Sequence, residues 1–234
     1  IRFMKKVIII LFYLPILTFA QQTYVPDNWF EAYLENNGMG NGIQYDDSVF
    51  TAAIDTVTYL DLSYGAGQAI GVFDLTGIED FTNLEYLDCS NNLLTSLDLS
   101  QNTALIDLDC GDNQLTTLDV SNNTLLEFLN CEDNQLSSID VSGAVALKEF
   151  FPEDNLLTSL DLTNNINLIE IECKNNQIKC LDVSNLLYPF ELIVENNLLE
   201  ELIIGDAVCG LFAINNNLTC IQVNDTLLSM YSNW

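Results

Sequence analysis

Leu84-Glu-Tyr-Leu87-Asp-Cys89-Ser-Asn-Asn92-Leu-Leu94-Thr-Ser-Leu97-Asp-Leu99 is answered 21 residues later by Leu105-Ile-Asp-Leu108-Asp-Cys110-Gly-Asp-Asn113-Gln-Leu115-Thr-Thr-Leu118-Asp-Val120. Further units open at Leu126, Leu147 and Leu168, and a degenerate one at Pro189. Asn holds one column throughout, at 92, 113, 134, 155, 176 and 197. A second column reads Leu97, Leu118, Ile139, Leu160, Leu181 and Leu202, and a third Leu99, Val120, Val141, Leu162, Val183 and Ile204. A unit this short cannot bury its own apolar side, so neighbours must stack and share one core, and the pattern predicts a solenoid. Within a unit the Leu-x-x-Leu-x-Cys run alternates in and out with period two, as short parallel strands do. Leu94 to Asn102 also resembles Leu105 to Asn113, so each coil is expected to carry two strands on opposite sides, with little room for helix. An Asn turned inward at the same corner of every coil can serve backbone groups that the turn leaves unpaired, which otherwise cost roughly 1 to 3 kcal/mol each.

Around this array the chain of 234 residues has 34 Asp and Glu against 6 Lys and Arg, a formal charge of -28, and no His. Phosphate recognition needs a surplus of Lys and Arg, so nucleic acid is excluded as a partner and an anionic membrane surface is disfavoured. The lack of His removes Ser-His-Asp and Cys-His catalysis and imidazole metal sites. With 49% hydrophobic residues the chain can fill a sizeable core and is not a disordered acidic tail.

The two ends depart from the period. Arg2, Lys5 and Lys6, an apolar run from Val7 to Leu17, and Thr18-Phe19-Ala20 have the layout of a secretory signal peptide over residues 1–20. The run is too short to span a bilayer, and Pro15 interrupts it, so cleavage after Ala20 is expected. Met4 is a more natural initiator than Ile1. The cleaved chain keeps only Lys148, Lys174 and Lys179 as cations, no segment able to span a membrane, and an exported location. Residues 21–56 read as an N-terminal cap with a short helix: Asn28 and Glu31 have capping-box spacing, and Trp29, Phe30, Tyr33 and Leu34 share a helix face. Gly38, Gly40 and Gly42 form a turn, not a phosphate loop, because no Lys follows and the surroundings are acidic. Residues 224–234 read as a C-terminal cap or the start of a region that continues past Trp234.

The motif L-x-x-L-x-C-x-x-N-x-L-x-x-L-x-L, over residues 57–223, resembles the leucine-rich repeats of secreted, internalin-like bacterial surface proteins. That resemblance implies an α/β solenoid dominated by short parallel β-strands, a right-handed superhelix with little helix. It also implies a non-catalytic module that binds protein through its repeat sheet in adhesion or recognition.

Three sets of side chains are candidates for chemistry. Cys89, Cys110, Cys131 and Cys173 share an inward column with Pro152 and Val194, which favours buried thiols over a metal site or rung-to-rung disulfides. Cys180, Cys209 and Cys220 lie outside it and are the better candidates for oxidation. Asp98, Asp119, Asp140, Asp161 and Asp182 form an outward column beside Ser or Thr two residues on. Local hydrogen bonding to turn amides accounts for it more simply than calcium, the one cofactor entertained. The outward positions of the first strand vary instead: Tyr86 and Asp88, Asp107 and Asp109, Phe128 and Asn130, Glu149 and Phe151, Glu170 and Glu172, then Glu191 and Ile193. Uniform columns report architecture, whereas a variable aromatic and acidic column on a rigid sheet is where recognition is written. The residues from Tyr86 to Glu172 are the candidate partner face of a monomer, suited to a basic protein or a surface glycan. A glycoside hydrolase using paired carboxylates is disfavoured because the acidic columns are regular. A mineral or ice surface is suggested by Thr95-Ser96, Thr116-Thr117, Ser137-Ser138 and Thr158-Ser159, but Lys179-Cys180 and Glu200-Glu201 break that array.

Overall fold

The computed structural model describes residues 20–63, 71–188 and 190–223. Of the expected leader only Ala20 falls within them, and the stretch 224–234 lies outside. The chain opens with β1 (Gln22–Tyr24), helix α1 (Asn28–Asn36), β2 (Ser48–Phe50) and the single turn α2 (Thr51–Ile54), β1 and β2 pairing antiparallel. The helix cap differs from the sequence expectation. Asp27, not Asn28, is the N-cap, and its Oδ1 accepts from the amides of Trp29 and Phe30. A carboxylate here meets both the unsatisfied first-turn amides and the positive end of the helix dipole. Asp27 Oδ2 accepts from Phe73 and Asp74 as well, which stitches the helix to the first coil. Phe30 and Leu34 are fully buried, with Phe30 stacked on Phe81 at 6.1 Å, but Trp29 faces outward at 47% exposure.

From there the chain winds as a parallel β-solenoid. One side of the coils gives β3 (Tyr59–Asp61), β4 (Tyr86–Asp88), β5 (Asp107–Asp109), β6 (Phe128–Asn130), β7 (Glu149–Phe151) and β8 (Glu170–Glu172). Later coils then alternate sides through β9 (Cys180–Val183), β10 (Phe190–Ile193), β11 (Glu201–Ile204), β12 (Val208–Phe212) and β13 (Cys220–Val223). The first side is an eight-stranded sheet in the order β3-β4-β5-β6-β7-β8-β10-β12, and the other a three-stranded sheet in the order β9-β11-β13. Leu87, Leu108, Leu129, Phe150, Ile171 and Leu192 pair in register from strand to strand and are all fully buried.

The second side is a sheet only in the last coils. Earlier it is reduced to the bridges Asp98–Asp119 and Asp119–Asp140. The column that holds Asp in the earlier coils carries Ile203 and Gln222 in β11 and β13, beside β-branched Ile204, Ile221 and Val223, while β9 keeps Asp182 and its bond to the Ser184 amide.

The inward Asn column does the work expected of it. Asn113 Nδ2 donates to the carbonyls of Cys89, Cys110 and Gly111, and its Oδ1 accepts from Leu94 of the preceding coil. The pattern recurs at Asn92, Asn134, Asn155, Asn176, Asn197 and Asn216. The residue before each takes a left-handed backbone, with φ between 47° and 57° at Asn91, Asp112, Asp133, Asp154, Asn175, Asn196 and Asn215. Asn and Asp tolerate that region better than other residues with a Cβ, which explains the two-letter alphabet of the column. Among the described residues no helix is long and apolar enough to cross a membrane.

Candidate recognition face

The register sets the candidate residues in two parallel columns on the outer side of the eight-stranded sheet. Tyr86, Asp107, Phe128, Glu149, Glu170 and Glu191 follow one another along the first. Asp88, Asp109, Asn130 and Phe151 occupy the second, with Glu172 and Ile193 after them. The first coil of the 57–223 array adds a rung to the candidate face: Tyr59 and Asp61 on β3 head the two columns, Tyr59 pairing with Tyr86 and Asp61 with Asp88. The step from Tyr59 to Tyr86 is 27 residues in place of 21, which leaves these two residues outside the candidate list read from the regular units.

The aromatic side chains form two pairs. Tyr59 and Tyr86 lie face to face at 4.4 Å with planes 7° apart, and Phe128 contacts Phe151 diagonally at 5.5 Å. Tyr59 is 59% exposed, a large ring surface left in water.

The carboxylates divide by column. Asp61, Asp88 and Asp109 each use Oδ1 to accept the amide two residues on, at Ser63, Ser90 and Gly111, and Asn130 does the same for Glu132. These four close the turn after each strand, a structural duty that residue type alone did not reveal. In the first column acids face acids. Partial burial, then Glu149 and Asp88, raise the pKa of Asp107; partial burial, then Glu149, Glu172 and Glu191, raise that of Glu170. Burial, reinforced by Asp88 and its neighbours, pushes the Tyr86 phenol up to about 12, so it remains a neutral hydroxyl. Lys174 is the cation at the border of this field, 3.4 Å from Glu172 and 3.6 Å from Glu153. Glu153 is buried at 5% exposure with one oxygen unpartnered, and burial pushes its carboxyl up to about 7.

The other candidate sets are quieter. Cys89, Cys110, Cys131 and Cys173 are fully buried thiols without disulfides, and burial raises the pKa of all four, Cys173 to about 12, which leaves them protonated and inert. Cys180, Cys209 and Cys220 are exposed. Cys180 and Cys220 both pair in register with Glu201, from β9 and β13 on either side, so two rungs separate them, roughly 9.6 Å and beyond disulfide reach. The outward Asp column is tied to turn amides: Asp98, Asp119, Asp140, Asp161 and Asp182 accept from Ser100, Ser121, Ser142, Thr163 and Ser184, each at 2.9 Å. Those bonds hold Asp98, Asp119, Asp140 and Asp161 below the usual carboxylate range. Among the described residues no group of three or more Cys, Asp or Glu side chains is placed to hold a metal ion.

No protein-family model and no curated protein matches the chain. Solved structures do. An internalin, InlF, of Listeria monocytogenes is similar over 86% of this chain with a TM-score of 0.65 at 21% identity, and this chain spans 63% of its length. Internalin C2 of the same organism is similar over 88% of this chain and 99% of its own, with a TM-score of 0.63 at 20% identity. A leucine-rich repeat protein of Leptospira interrogans covers 62% of this chain, and 41% of its own length, with a TM-score of 0.53 at 26% identity. The shared architecture is that of the leucine-rich repeat solenoids.

Proposed function

We propose that the chain is a non-catalytic protein-recognition module, exported by a bacterium, that binds a basic protein partner through the outer face of the eight-stranded sheet. One observation carries the reading. The inward columns keep to apolar residues or Asn, and the outward Asp column of the other side to Asp, for architectural reasons, whereas the first outer column of this sheet mixes aromatics with carboxylates. Tyr59, Tyr86, Phe128 and Phe151 offer rigid apolar anchors of the kind that dominate protein interfaces. Asp107, Glu149, Glu170 and Glu191 repel one another, and a Lys- or Arg-bearing partner relieves that repulsion. The leader-like segment over residues 1–20 supports export, and the likeness to internalins supports a recognition role in place of catalysis.

The test is selection of binders from a displayed library of small proteins. Selected binders should be enriched in Lys and Arg and should weaken as salt rises from 50 to 300 mM, roughly one Debye-length regime to the next. Phe128→Ala and Phe151→Ala should each cost about 2 kcal/mol of binding, the scale of an interface anchor, with the fold intact. Binders indifferent to both changes and to Glu170→Gln would place recognition elsewhere.

A further inference from the structure

Between the N-terminal cap and the first coil lies a cavity of about 320 Å³ lined by Trp29, Tyr33, Asn36, Tyr45 and Asp61. Trp29, Tyr33 and Asn36 fall on one stripe of α1 at the four- and three-residue spacing of a helix face. Trp29 is 47% exposed and Tyr45 64% exposed, so two large rings at its mouth stand in water where a cap residue could have been buried. Tyr45 also has φ of 64°, a conformation that a bulky side chain rarely adopts. The loop around it is held firmly: Asp46 donates its amide to buried Glu31, and Val25 donates to the Asp47 carbonyl. These bonds hold the backbone just after Tyr45 and place its ring at the cavity rim.

Ring faces are electron-rich, and three of them gathered with a carboxylate attract a positive group. Among the described residues no cation lies nearby. From Val7 to Leu147 there is no Lys, Arg or His. Lys148, which immediately precedes β7, is four rungs from β3, roughly 19 Å along the sheet. The cavity is also continuous with the recognition face, because Asp61 belongs to both, and Tyr33 lies close enough to Asp61 and Tyr59 for their charge, after burial, to disfavour its ionisation.

We infer that this cavity takes the ammonium or guanidinium head of a Lys or Arg side chain from the partner, with the rings of Trp29, Tyr33 and Tyr45 around the cation and Asp61 as its counter-ion. The inference rests on the sheet-face reading above and adds an anchoring pocket at the sheet's first rung.

Fluorescence tests it, since the chain has two tryptophans, Trp29 and Trp234. In the full chain carrying Trp234→Phe, emission reports Trp29 alone. Titration with N-acetyl-lysine methylamide or N-acetyl-arginine methylamide should give saturable quenching with Kd on the order of 1 mM, as suits one small contact. Asp61→Asn should weaken it about tenfold. That variant keeps the turn, because Asn130 holds the same turn natively. Tyr45→Ala should abolish saturation, and Phe128→Ala should leave it unchanged. Equal response to neutral N-acetyl-norleucine methylamide or to maltose, no saturable response, or indifference to Asp61→Asn would overturn the pocket. Failure of the pocket with Phe128-dependent partner binding intact sinks the pocket alone. Cation binding in a chain whose selected partner ignores Phe128→Ala sinks the sheet reading alone.

Discussion

Two corners of each coil are built around asparagine, and they are not equivalent. At the first, Asn134 spends its whole amide: Nδ2 reaches the carbonyls of Cys110, Cys131 and Glu132, and Oδ1 receives the Leu115 amide. At the second, Asn102, Asn123 and Asn165 are fully buried and donate only backwards, Asn123 to the carbonyls of Leu99 and Asn102, while each Oδ1 has no partner. The first column runs without a break, whereas the second is interrupted by Ala144 and Leu186. A polar side chain that closes every bond becomes indispensable, and one that closes half of them can be traded for an apolar residue. At the coil of Ala144 the backbone also packs closely: a Cβ on Gly143 would sit 2.1 Å from the Ser121 carbonyl.

The contrast predicts unequal costs. Asn134→Ala leaves the Leu115 amide without its partner and takes one of two donors from each of the Cys110, Cys131 and Glu132 carbonyls, and about 3 kcal/mol of stability should go with it, read as a Tm fall of about 8 °C in thermal melting. Asn123→Ala removes two donors but also an unpaired oxygen, and should cost about 1 kcal/mol, with Ala144 as native precedent. Equal losses at the two sites would erase the distinction. Gly143→Ala falls between them at about 2 kcal/mol, because a backbone carbonyl cannot step aside for a methyl group.

The first corner also carries a buried acid, which makes its stability pH-dependent. Glu153 gives its carbonyl to Asn155, and its own carboxyl takes up a proton near pH 7 in the folded chain against 4.5 ordinarily. A folded pKa above the unfolded one means that folding binds a proton between those values. This group's contribution is therefore complete below pH 4.5 and is lost as pH rises towards 7, when burial leaves the carboxylate short of hydration despite Lys174 at 3.6 Å. Glu153→Gln should raise Tm at pH 8 by a few degrees, leave it unchanged at pH 4, and flatten the slope between, as melting across that range would show. A fall in Tm at pH 8 would mean that the ion pair outweighs the burial cost.

How far the sequence discloses these features follows from the same physics. The first corner is legible because complete bonding enforces an unbroken column, and the solenoid follows from it. The second corner escapes a period search because Ala144 and Leu186 interrupt it, although Asn102 is visible at the end of the half-repeat. The variable columns on the sheet could be read off as outward, yet the turn-closing duty of Asp88, Asp109 and Asn130 depends on where the strand stops, which alternation does not tell. The aromatic cavity was hidden more deeply. A helix period groups Trp29 with Phe30, Tyr33 and Leu34, but which edge of that stripe meets core and which meets a gap is set by the first coil, 46 residues from Asp27 in the bond to Phe73. The positive φ of Tyr45 has no signature in residue type at all.

The smallest effect belongs to the outward Asp column beside the second corner. Asp119 is exposed and accepts the Ser121 amide at 2.9 Å, so its pKa is lowered chiefly by that bond, with Asp98 a minor opposing influence. A folded pKa below the unfolded one contributes stability above pH 3.8 that is lost as pH falls through the lower value, the opposite sense to Glu153. Asp119→Asn keeps an oxygen acceptor for the turn, as Asn130 does on the other side, and relieves repulsion along the column. Its Tm at pH 7 should therefore match the parent within about 1 °C, surface changes of this kind lying within about 0.5 kcal/mol. The same melts with millimolar calcium or with chelator should coincide, because turn amides already offset the repulsion that an ion would neutralise. A calcium-dependent shift that disappears in Asp119→Asn would instead show that the carboxylates, not the amides, are what the column is organised around.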